Sequence, residues 1–124
     1  MYFHHRDLLI LEDMKLKIAI AKEGDMVAQH FGQCKGYDLF TIENGAVTGS
    51  EYIESPGHSP GVLPKLLADH GANVVLAGGM GPAAVQLFTE NNIEVFVGVT
   101  GEIKVALENY LSDRLEKGSN ICNH

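Results

Sequence analysis

Cysteine is scarce in this chain of 124 residues: Cys34 and Cys122 are the only two. Two are too few for the disulfide framework that staples small secreted domains, so these thiols are either inert or available as ligands. Basic charge is also short, with 9 Lys and Arg against 16 Asp and Glu and a formal net charge of -7. A grip on nucleic acid needs clustered cations that displace counterions, and no basic run occurs. No apolar stretch approaches the ~20 residues that span a bilayer. Residues Met1 to Asp13 include Leu8-Leu9-Ile10-Leu11, but acids at Asp7, Glu12 and Asp13 and the lack of a small-residue cleavage site argue against a signal peptide. A cytoplasmic protein with neither a membrane nor a nucleic-acid partner is expected.

Catalytic signatures are missing too. The first strand-like run, Lys15 to Lys22, carries no Asp or Glu for a two-metal nuclease, and there is no G-x-S-x-G elbow. A Cys34-His30 nucleophile pair finds no third group to orient it. The paired short spacings of a self-sufficient zinc site are absent as well.

What is present is the composition of a folded globular domain: 45% hydrophobic, 20% charged and 14 glycines. The length suits one domain over residues 14–117, with 1–13 as an extension outside the fold and 118–124 as a flexible tail. Leu16, Ile18 and Ile20 alternate along a first strand. Glu23 to Gly36 has no period and reads as a long loop. Tyr37 to Glu43 and Ala46 to Glu54 read as a hairpin about Asn44-Gly45, which supplies a type I′ turn. Ser59 and Pro60 open a first helix that runs to about His70, with Val62, Leu63, Leu66 and Leu67 on one stripe. Asn73 to Ala77 is a doubly covered strand, Pro82 starts an Ala-rich helix ending near Asn91-Asn92, and Ile93 to Val97 is a fifth strand. Thr100 caps a third helix with Ile103, Leu107, Tyr110 and Leu111 facing inward, and Arg114 onward frays.

The order β-β-β-α-β-α-β-α implies a mixed sheet with helices packed on it. Right-handed crossovers and a central first strand make every strand but the second point the same way. The loops after strands one, three, four and five then share the carboxyl-end edge, where open α/β sheets bind ligands. His30 and Cys34, His58, Gly78 to Gly81 and Gly98 to Gly101 belong to that rim.

Two groups of residues there could carry chemistry. Gly79-Met80-Gly81-Pro82-Ala83-Ala84 matches G-x-G-x-x-G/A between a strand and a helix, but no ribose-binding acid follows about twenty residues on. The turn is either a tight connection or an anion-friendly rim. His30 and Cys34, with His58 as a third, offer nitrogen and sulfur donors that suit soft metals and iron-sulfur species. A few soft ligands beside backbone amides fit an anchor for a preassembled anionic cluster. Cys122 and His124 could add donors from the tail, and His70 is better read as a helix C-terminal cap. Three functions stay open on these residues: a cluster carrier, a small-molecule or nucleotide phosphate binder using Gly79 to Gly81, and an interaction module without a ligand.

Ile18 to Ala21, His30-Phe31-Gly32 with Cys34, Tyr37 to Ile42, Val74 to Gly81 and Asn92 to Val95 together resemble the dinitrogenase iron-molybdenum cofactor biosynthesis family, the NifX-like proteins and the NifB C-terminal domain. The resemblance spans roughly residues 15 to 117. It implies a ribonuclease H-like α/β fold with five strands in the order 3-2-1-4-5 and three helices. It also implies carriage of an iron-sulfur or molybdenum-containing cluster between donor and acceptor proteins, without catalysis by the domain. His30 maps to the histidine of the family's His-Phe-Gly, while Cys34 lies where members carry a small residue or cysteine.

Overall fold

The computed structural model describes residues 15–31, 34–56 and 62–117. His58, Ser59, Pro60, the N-terminal extension, the C-terminal tail and its Cys122 and His124 lie outside the described residues.

The central strand, β1 (Lys15–Glu23), has Ile18, Ala19, Ile20 and Ala21 all fully buried. Such burial on both faces requires a layer on each side of the sheet. Antiparallel to β1 runs β3 (Gly36–Glu43), and β4 (Ala46–Glu54) pairs antiparallel with β3 as the outer strand. Asn44 and Gly45 turn this hairpin with positive φ angles of 57° and 83°, as expected. On the other side of β1 lie β5 (Val74–Leu76) and then β6 (Glu94–Phe96), both parallel. The strand order β4-β3-β1-β5-β6 is the expected 3-2-1-4-5, with the second of those five strands antiparallel.

Helices α1 (Val62–Asp69) and α2 (Pro82–Glu90) cover one face, and α3 (Ile103–Lys117) covers the other. The first core layer packs Leu63, Leu67 and Phe88 on Ala19, Ala21, Leu39 and Val75. The second packs Ile103, Ala106, Leu107 and Tyr110 on Ile18, Ile20, Val74 and Leu76. β1 thus turns its alanines to the two-helix face and its isoleucines to the single-helix face.

Four expectations need correction. Residues 23–36 are not one open loop, because Met26–Val27 forms a short strand, β2, antiparallel to the end of β1. Thr100 does not cap α3: Gly101 accepts a bond from the Val27 N–H, and Glu102 bridges Met26, so the helix starts at Ile103. That helix also continues past Arg114 to Lys117. Val62 is exposed, and Pro64 takes the buried position beside Leu63 and Leu67.

Candidate functional site

The carboxyl end of β1 leads through β2 into the segment that carries His30. Three backbone bonds fix this segment. The Ala28 N–H donates to Ala21 at 2.9 Å, the Gly79 N–H to Gln29 at 2.6 Å, and the Phe31 N–H to Gly79 at 2.9 Å. His30 and Gly79 thus pair as one parallel bridge beyond the end of β5. The same ladder continues outward, with Gly98 donating to Gly78 at 2.7 Å and Val99 to Ala77 at 3.0 Å.

Phe31 anchors this segment in the core. It is 5% exposed and meets Tyr37 and Phe88, each at 5.3 Å between ring centroids. With Phe31 held inside, its neighbour His30 is left exposed at the rim. Gly78 makes the approach possible, since a Cβ there would lie 2.6 Å from the Ala28 carbonyl oxygen and 2.8 Å from that of Gln29. Both are backbone atoms with little freedom to yield.

Cys34 is half-buried, and its thiol donates to the Phe31 carbonyl at 3.2 Å. The Tyr37 hydroxyl donates to the same oxygen at 3.3 Å. Burial first, and the adjoining Cys34 second, push the Tyr37 pKa far above its ordinary 10.0, so it remains a protonated donor.

His30 and Cys34 line one cavity of about 580 Å³, together with Lys22, Gln29, Lys35 and Tyr52. The two metal-ligand candidates therefore meet at the carboxyl-end edge. They are two donors rather than a closed cage, and among the described residues no group of three or more His, Cys, Asp or Glu could hold a metal ion. Gly78 to Gly81 pair with the His30 segment through Gly79 and do not line this cavity. The Gly79 amide is bonded to Gln29, which removes it from the anion-facing set, and the N-terminus of α2 at Gly81 has no side-chain cap.

Lys22, Lys35 and Tyr52 went unnoticed in the sequence. Lys22 is the last alternating residue of a strand, where a charge is unremarkable. Only the register shows that Asp38 and Tyr52 stand beside it: Lys22 Nζ lies 3.0 Å from an Asp38 carboxylate oxygen and 5.6 Å from the Tyr52 ring centre.

The mixed sheet and its helix layers define an α/β domain whose carboxyl-end rim carries a cavity lined by imidazole, thiol and ammonium groups. The profile of the dinitrogenase iron-molybdenum cofactor family matches residues 14–113, and the chain belongs to that family. An uncharacterised protein of Methanocaldococcus jannaschii is 30% identical over 113 residues, covering 87% of this chain and 96% of its own. The crystal structure of PH0822 superposes with a TM-score of 0.73 at 33% identity, covering 78% of this chain and 91% of that one. The apo form of the orange protein from Desulfovibrio gigas shares the fold, with a TM-score of 0.68 at 23% identity over 82% of this chain and 92% of that one. Among the described residues, no helix is long and apolar enough to cross a membrane.

Proposed function

We propose that this chain is a non-catalytic, cytoplasmic carrier that takes an iron-sulfur or molybdenum-containing cluster from a donor protein and passes it to an acceptor. The observation that supports this reading most is that His30 and Cys34 line one cavity, on backbone tied to the end of β5. Two soft protein donors suit a cluster that arrives with most of its metal bonds already made to sulfide. They would be too few to assemble or retain a bare ion against water. An exposed imidazole is also open to exchange with an incoming protein's ligand, which a carrier requires. His58, on the segment preceding α1, is proposed as a third donor, and Met80 and Gly81 as flanking contacts. A phosphate-binding role for the glycine turn draws less support, because the Gly79 amide already donates to Gln29.

The test is anaerobic reconstitution with iron, sulfide and molybdate, read by visible absorption and metal content. Wild type is expected to gain a chromophore that His30→Ala and Cys34→Ala each diminish. A wild type that stays colourless, or two variants that load fully, would sink the proposal.

A further inference from the structure

The carrier reading leaves open what makes the cavity choose a charged cluster over a free metal ion. The other side chains that line the cavity bear on this. At the end of β1, Lys22 is gripped by both oxygens of Asp38, at 3.0 and 3.2 Å, and its ammonium lies 5.6 Å from the centre of the Tyr52 ring. Tyr52 reaches this position by passing over Gly36. A Cβ on Gly36 would overlap the Tyr52 phenol, although the backbone there has no positive φ that would otherwise call for glycine. The side-chain exposure of Lys22 is 31% and that of Asp38 is 19%, so the pair is partly withdrawn from solvent and its charges are less screened than at an open surface. Lys22 and Lys35 line the cavity with Glu23, and Asp38, the partner of Lys22, is outside that lining. The Lys22–Asp38 pair thus presents its ammonium, and not its carboxylate, to the cavity.

We infer that Lys22, positioned by Asp38 and by Tyr52 lying on Gly36, is the specificity-determining residue that makes the cavity accept an anionic sulfur-ligated metal complex and disfavour a bare metal cation. The inference rests on the carrier reading and assigns its selectivity. An ammonium beside the ligand attracts a dianion and repels a divalent cation through the same field. Asp38 holds Lys22 in place and offsets part of its charge, and the Tyr52 ring lies within cation–π reach of the ammonium.

The assay titrates the protein anaerobically with tetrathiomolybdate, a coloured sulfur-ligated dianion, and separately with zinc ion. Lys22→Met is expected to weaken tetrathiomolybdate binding roughly tenfold or more, the size of a charge-assisted contact, while zinc binding holds or tightens. Asp38→Asn, which leaves Lys22 less neutralised, is expected to tighten tetrathiomolybdate binding, a gain that misfolding cannot mimic. Gly36→Ala, which displaces Tyr52, is expected to act in the direction of Lys22→Met with smaller effect. Equal binding of the anion by wild type and Lys22→Met, or equal weakening of both probes, overturns the inference. If His30→Ala still abolishes binding in that case, the carrier reading stands alone. If binding follows Lys22 but ignores His30 and Cys34, the charged wall stands and the soft-ligand reading falls.

Discussion

Replacing Gly78 with alanine tests whether the seat of His30 depends on the close backbone approach at the end of β5. The added Cβ would lie 2.6 Å from the Ala28 oxygen, 2.8 Å from the Gln29 oxygen and 3.0 Å from the Gln29 Cα. All three belong to backbone, so relief requires moving either the His30 segment or the extension of β5. Overpacking of this kind costs about 1–3 kcal/mol. Separation of the segments also strains the bonds from Gly79 to Gln29 and from Phe31 to Gly79, each worth about 0.5–1.5 kcal/mol. The sum is roughly 2–6 kcal/mol, which in a domain of this size lowers the melting temperature by roughly 10–25 °C. Gly81→Ala is the matched control, because Gly81 has φ -72° and ψ 159° and its Cβ would meet nothing within 4 Å. It should leave stability unchanged or slightly raised. Thermal and urea unfolding of both variants measure the difference. If Gly78→Ala melts within about 2 °C of the control, the close packing of the two segments is not what holds the site.

Two further outcomes follow from the same geometry. Phe31→Ala should cost about 3–5 kcal/mol in urea unfolding, whereas His30→Ala should cost under about 0.5 kcal/mol, because one ring is core and its neighbour is exposed; similar costs for the two would contradict the division of labour between them. Tyr37 titrates near 10.0 when unfolded and much higher when folded, so the unfolded state loses its proton first; the stability it contributes is complete below about pH 10 and declines as pH rises above that value. Tyr37→Phe should therefore lose about 1 kcal/mol at neutral pH, from the bond to Phe31, yet show an alkaline limb shallower by about 1.4 kcal/mol per pH unit. Parallel limbs above pH 10 would refute the burial argument.

The parts of this fold that were legible in the sequence are those written in side chains. Ile18 and Ile20 alternate, Asn44-Gly45 can hardly be anything but a tight turn, and Val74 to Ala77 is too short and apolar to be a helix. Handedness together with a central first strand then led to the strand order and the shared rim. What stayed hidden is written in backbone bonds. Met26–Val27 is only a two-residue strand, too short for any period, and Gln29 to Phe31 joins Gly79 through N–H and C=O groups that every residue possesses. Thr100 looked like a cap because the demand of β2 on Gly101 and Glu102 was invisible. Gly36 carried a signal, a glycine at the start of an aromatic-rich strand, but its meaning needs the register that brings Tyr52 across it.

That difference changes where the anion-binding chemistry is assigned. From the sequence, the glycine turn was either a tight connection or an anion-friendly rim, and His30 and Cys34 sat in a long loop beside it. In the folded chain the turn is a scaffold: Gly79 exchanges two backbone bonds with the His30 segment, and Gly78 supplies the clearance for it. The cations that line the cavity are Lys22 and Lys35, and the turn is not part of that lining. On the carrier reading this arrangement separates two requirements. The ligand-bearing backbone is ordered before any cluster arrives, so binding does not have to order it. The attraction for the cluster comes from side chains at the rim, which a partner protein's own charges can offset during transfer.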